Sequence, residues 1–163
     1  MSAYLLPIAA REPLRWIVRE QRTAFAAHRR REAEGLRAGD RIFLYSTRGC
    51  FRNPTRDRGR VFGLAAVTHG ARARAGGAAV EFGGTAYPIA VALRIDALAP
   101  PRHGLELAPL VPRLRETFPD PATWSARMRR ALVPLAEADA NLIADLLAEH
   151  LRPYGDLREA YAA

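Results

Sequence analysis

The residues in this sequence best suited to chemistry are five arginines within one short segment, Arg48, Arg52, Arg56, Arg58 and Arg60, with Asp57 the one acid among them. Guanidinium groups stay charged at physiological pH and present planar, forked donors that match phosphate or carboxylate oxygens. A protein core gains nothing from positive charge gathered in this way, so the segment reads as a surface made to meet a negative partner. The apolar run Ile42-Phe43-Leu44-Tyr45 precedes it, and a second apolar run opens at Val61. Gly39-Asp40 and Gly59 are turn residues at the borders. The pattern predicts a buried strand over 41–46, a long basic loop, and a returning strand over 60–68.

The charge of the whole chain points the same way. Its 163 residues carry a formal net charge of +8, and all 25 basic residues are arginine. Residues 1–82 hold 16 arginines and 7 acids, whereas residues 83–163 hold 9 arginines and 10 acids. Arginine in place of lysine reflects a GC-rich coding bias, but bias does not explain why the excess sits in the first half. A one-sided basic surface is the footprint of a polyanion binder, and the partner it implies is nucleic acid, DNA or RNA.

The length suits a single domain over residues 1–163, with a core large enough to need no disulfide or metal. One cysteine, Cys50, excludes an intramolecular disulfide and a cysteine-based zinc site. No stretch approaches the ~20 apolar residues of a membrane-spanning helix, and the first residues lack the pattern of a signal peptide. The expected location is the cytoplasm, of a prokaryote, with no membrane partner.

Other elements follow from periodicity and punctuation. Residues 3–9 predict an opening strand, with Pro7 placing it near an edge or bulge. Pro13, followed by Leu14, Ile17, Val18 and Phe25, predicts a helix over 13–34 that ends at Gly35. Arg29, Arg30 and Arg31 then fall near its C-terminus, where cations complement the helix dipole. Tyr87, Ile89, Val91, Leu93 and Ile95 alternate with Ala90, Ala92, Arg94 and Asp96, giving a half-buried strand over 85–97. Gly83-Gly84 joins it to a shorter strand over 78–82 as a hairpin. A proline-rich connection over 99–112 leads to a short helix around 110–117. Leu132 to Leu135 predicts the last strand, and residues 137–151 a closing helix with Leu142, Ile143, Leu146, Leu147 and Leu151 on one stripe. Such a set of short strands with flanking helices suggests a curled sheet or small barrel in an α+β domain.

Catalytic constellations are missing. The phosphate-loop, dinucleotide, zinc-protease and nucleophile-elbow motifs are all absent. His28, His69, His103 and His150 are scattered, with no acid or nucleophile at a recognisable spacing. Cys50 lies among arginines that would lower a thiol pKa, although a small residue in a turn explains it as well. Asp139 and Asp145 fit the solvated face of the last helix. No catalytic residue, cofactor or metal is assigned.

Leu36-Arg37-Ala38-Gly39-Asp40-Arg41-Ile42-Phe43-Leu44-Tyr45-Ser46 resembles the Gly-Asp strand signature of EVE domains, which are members of the PUA-like superfamily together with YTH and ASCH domains. Trp16, Arg22 and Phe25 stand where that family has a tryptophan and an Arg-x-x-Phe-like element. Val61-Phe62-Gly63-Leu64-Ala65-Ala66-Val67 is similar to its Gly-x-Ala strand, and Trp124, Arg130, Leu132, Leu135 and Asp139 to its closing segment. The pattern departs at Tyr4-Leu5, where the family has an aromatic-Trp pair, and in the length of the arginine segment. The resemblance implies a PUA-like pseudo-barrel, a curled mixed or antiparallel sheet with flanking helices. It also implies a pocket that receives a flipped-out or single-stranded base, often a modified one.

On that reading Trp16, Tyr45 and Trp124 offer ring faces for stacking, Ser46 and Thr47 read a base edge, and the five loop arginines contact phosphates. Tyr45 fits the core as well as a pocket, and so does Trp16. Two other readings stay open. One is a domain that binds a small nucleobase-like or nucleotide-like molecule; the other is a nucleic-acid-processing enzyme of the ASCH type.

Overall fold

The computed structural model describes residues 1–53, 57–73 and 79–162. The chain begins with β1 (Ala3–Ile8), α1 (Arg11–Glu20), β2 (Arg22–Phe25) and the short α2 (Arg30–Glu34). The strands β3 (Arg41–Ser46), β4 (Arg60–Ala73), β5 (Val80–Phe82), β6 (Thr85–Tyr87) and β7 (Ile89–Leu98) follow. The chain continues through β8 (Leu105–Glu106), α3 (Trp124–Arg127), β9 (Val133–Leu135), α4 (Glu137–Leu147), β10 (Arg152–Pro153) and α5 (Tyr154–Leu157).

Eight strands form one sheet in the order β10-β7-β4-β3-β1-β9, with β2 on β7 and β8 on β4. Among the described residues only β1 and β3 run parallel; the other pairings of this sheet are antiparallel. Register shifts recur along β4 against both neighbours, and such bulges bend and twist a sheet. The result is a curled α+β half-barrel with flanking helices. The expected neighbours 41–46 and 60–68 are the antiparallel pair β3 and β4, with Tyr45 opposite Val61.

Ile42 to Tyr45 is buried without alternation because the sheet is covered on both faces. Ile42 and Leu44 point to a core formed with Leu14, Ile17 and Val18 of α1, Leu36, and Val91 of β7. Phe43 and Tyr45 point the other way, to a core built with Leu110, Leu114, Phe118 and the α4 residues Ile143 and Leu147. The Gly-Asp signature that opens β3 is a backbone lock. Gly39 takes φ +94°, a region open to glycine at little cost, and its N–H donates to the Val67 carbonyl at 2.8 Å. The Asp40 carboxylate accepts from the backbone N–H groups of Ser2 (2.9 Å) and Arg37 (2.8 Å), tying the N-terminus to the turn.

Several expectations need correction. The helix over 13–34 is broken, because Gln21 adopts φ 51° and Arg22–Phe25 becomes a strand on β7. The Gln21 side-chain oxygen accepts from the Ile95 N–H at 2.8 Å, so tertiary pairing overrides local helix preference there. Arg30 and Arg31 consequently begin α2 instead of closing a longer helix. Residues 85–97 are not one strand. Pro88 separates β6 from β7, and β6 pairs with β5 in a two-stranded sheet of its own. Residues 108–113 form a 3-10 turn instead of the helix expected around 110–117. The closing helix stops at Leu147, and the sequence reading had no place for β10 and α5 beyond it. Asp139 is not solvated. It is buried in the first turn of α4 and accepts from the Thr117 N–H at 2.7 Å.

Candidate functional site

A groove of about 960 Å³ opens beside α1, on the side of the sheet that packs this helix. The end of β1, the first half of α1, β2 and the turn at Gly49–Arg52 wall it, with the β5–β6 hairpin along one side and Arg129 and Ala131 at another edge. Its aromatic lining is Trp16, Phe82, Tyr87 and the buried Phe25. The Phe82 ring meets the Trp16 ring edge-on, with centroids 5.8 Å apart at 69°, and lies 5.6 Å from Tyr87. Arg11, Arg15, Arg29, Arg52 and Arg129 also line the groove, against Glu12 as the one acid among the described lining residues.

The hairpin is a local invention of the sequence. Gly83 and Gly84 both take positive φ, the geometry of a tight turn whose twist matches the flanking strands. That turn presents Phe82 and Tyr87 from its two strands to the groove. α1 places Arg11 and Arg15 one turn apart on one face, and Trp16 beside them.

Of the residues expected in one pocket, the structure brings only Trp16 to this groove. Tyr45 belongs to the opposite face of the sheet, because alternate side chains of β3 point to opposite faces. Burial pushes its phenol pKa up to about 12, against a smaller lowering by Arg48. Ser46 is buried, and its hydroxyl donates to the Arg60 carbonyl at 3.4 Å. Thr47 closes the turn after β3, its N–H donating to the Ile8 carbonyl and its carbonyl accepting from the Cys50 N–H. Trp124 packs edge-on against Phe118 in the second core, 6.3 Å between centroids. Neither Ser46, Thr47 nor Trp124 lines the groove.

The loop arginines divide as well. Arg52 lines the groove, adopting φ 60° in the turn. Arg48 and Arg58 are exposed, and Arg56 lies outside the described residues. Arg60 sits on β4, 3.8 Å from Glu106. The acid Asp57 is buried and engaged by Arg102, whose Nε and Nη2 donate to one carboxylate oxygen at 3.0 and 2.6 Å. Cys50 is buried, and desolvation pushes its thiol up to about 12 despite the nearby Arg11, which reverses the expected lowering by arginine.

Sequence reading missed Phe82, Tyr87, Arg11, Arg15, Arg29 and Arg129 as lining residues. The i, i+4 arginines of α1 and the aromatics flanking Gly83-Gly84 were visible signals. What the sequence did not show was that β2 and the hairpin converge on α1.

The sheet order, the covering helices and the locked Gly-Asp turn define a curled half-barrel with helices on both faces. Solved structures share it at low sequence identity. Human THYN1 in complex with 5-methylcytosine-containing DNA superposes with a TM-score of 0.55 at 13% identity, covering 90% of this chain and 97% of that chain. A hypothetical protein from Leishmania major gives 0.58 at 14%, covering 91% and 96%. Protein PSPTO5229 from Pseudomonas syringae gives 0.59 at 14%, covering 88% and 98%. At such identities the likeness is one of fold. No protein-family model matches the chain, and no curated protein does.

Proposed function

We propose that this chain is a non-enzymatic nucleic-acid-binding module that takes one unpaired or extruded base into the groove beside α1. The observation that carries the reading is the meeting of aromatic rings and arginines in one concavity with room for a nucleotide. Trp16, Phe82 and Tyr87 supply ring surface against which a base stacks, worth about 1–3 kcal/mol per base. Arg11 and Arg15 of α1, with Arg29, Arg52 and Arg129 from three other segments, supply phosphate contacts around it. Exposed Arg48 and Arg58 extend that surface beyond the groove. Thr23, His28 and Thr85 are lining groups able to pair with a base edge. The DNA bound by human THYN1 carries 5-methylcytosine, which makes a modified base the first candidate here.

The test is a titration of the chain against matched modified and unmodified oligonucleotides, as DNA and as RNA, at two salt concentrations. A polymer ligand gives affinity that falls steeply with salt, by a log–log slope of about 0.7 per phosphate contact on a single strand. Tight, salt-insensitive binding of a free nucleoside with no gain from the polymer would instead assign the groove to a small molecule.

A further inference from the structure

The arginines of α1 do not stop at the groove. Arg11, Arg15 and Arg19 recur at i, i+4 and i+8, which places them along one side of the helix in steps of about 6 Å. That step is comparable with the separation of successive phosphates on an extended single strand. Arg15 lines the groove and also a second cleft of about 290 Å³, walled by Val18, Arg19, Arg158, Glu159 and Tyr161. The two concavities thus share a residue, and the basic surface runs from one to the other without leaving α1.

The far wall of the second cleft is held firmly. Tyr154 donates its hydroxyl to the Val18 carbonyl at 2.6 Å, fixing α5 against the end of α1. The Tyr161 ring stacks on Phe62 with centroids 5.6 Å apart, and its hydroxyl donates to the buried Ala99 carbonyl. Arg158, between these two anchors, is exposed and has a fixed base. Two acids share the area. Glu20 is engaged by Arg19 at 3.0 Å, in an exposed pair that a phosphate can displace, and Glu159 lines the cleft. A C-terminal segment that packs only for stability has no need of a guanidinium facing a helix already rich in them.

Resting on the groove reading above, we infer that α1 is a backbone track. A single-stranded segment of DNA or RNA whose base occupies the groove continues over Arg15 to Arg19 and Arg158, which contact its phosphodiester groups. The site therefore extends beyond the recognised base in one direction along the strand.

Fluorescence anisotropy with the full chain tests this, using single-stranded DNA and RNA oligonucleotides of four, eight and twelve nucleotides. The wild type should gain affinity as the strand lengthens. The variant R19A/R158A should bind the tetranucleotide as the wild type does and lose the gain from length, with its salt slope on the dodecamer reduced by about 1.4. The lysine variant R19K/R158K keeps the charge and should restore that slope. A length gain and salt slope unchanged in R19A/R158A overturn the track and leave the groove intact, provided R52A/R129A still weakens every length. If no oligonucleotide binds the wild type, the groove reading fails and the track with it. Melting temperatures of the variants check folding, and both side chains are exposed. Comparing the DNA and RNA series shows which backbone the track prefers.

Discussion

Tyr45 sits with its hydroxyl against the backbone of Gly59, so close that a Cβ at position 59 would collide with it. The turn residue before β4 is glycine for lack of space, not for its φ. Replacing Gly59 by alanine should destabilise the fold by about 1–3 kcal/mol, the usual cost of overpacking. Tyr45→Phe removes the offending oxygen and should recover part of that loss in a double-mutant cycle followed by thermal denaturation. Full additivity of the two changes would show that the contact is not what constrains Gly59. A second residue-scale expectation concerns pH. Burial raises the Cys50 thiol from 9.0 and the Tyr45 phenol from 10.0, each to about 12. Both groups are neutral when folded, so their contribution is fully present below pH 9. As pH rises from about 9 to 12 the unfolded chain releases these protons first, and stability should fall. Below pH 9 the folded protein should resist thiol alkylation, and denaturant should expose Cys50; rapid labelling of the native chain would contradict this assignment.

At the scale of elements, the β5–β6 hairpin stands apart from the eight-stranded sheet and meets α1 through the Phe82–Trp16 contact. Phe82→Ala should therefore cost little in melting temperature, yet open the groove wall and weaken oligonucleotide binding several-fold. A large loss of stability with binding unchanged would mean that the hairpin is a structural brace. The sequence announced this hairpin through Gly83-Gly84, and it announced β1, β3, β4 and β9 through apolar runs. It concealed β2. Thr23 and Phe25 are buried and Arg22 is exposed, a two-residue alternation too short to compete with the apolar spacing of α1 before it. What settles those residues is β7, more than sixty positions later, pairing Thr23 with Val91. Asp139 looks solvated in the sequence for a related reason. Its partner, the Thr117 N–H, belongs to a segment without periodicity of its own, so nothing local marked the carboxylate as buried.

For the whole molecule, the sheet separates two cores, and that division decided the fate of the aromatic residues. Trp16 and Tyr45 were expected in one pocket, but they lie on opposite faces of β3, and parity along a strand fixes this regardless of motif. Which face each helix would cover was not written in any local pattern. The charge asymmetry was legible in the sequence, and four of the five groove arginines come from the basic half of the chain. In the sequence its focus is the segment 48–60, because closely spaced arginines stand out, whereas a groove gathers them from distant segments. The two tryptophans now give a direct test of the central claim, since Trp16 lines the groove and Trp124 packs in the second core. Trp124→Phe leaves Trp16 as the sole tryptophan, and Trp16→Phe leaves Trp124. Titrating both variants with a single-stranded oligonucleotide at low and high salt should quench tryptophan emission in the first alone, with a midpoint that moves to higher concentration as salt rises. Equal quenching in both, or binding by anisotropy with Trp16 emission unchanged, would contradict the placement of a base in the groove beside α1.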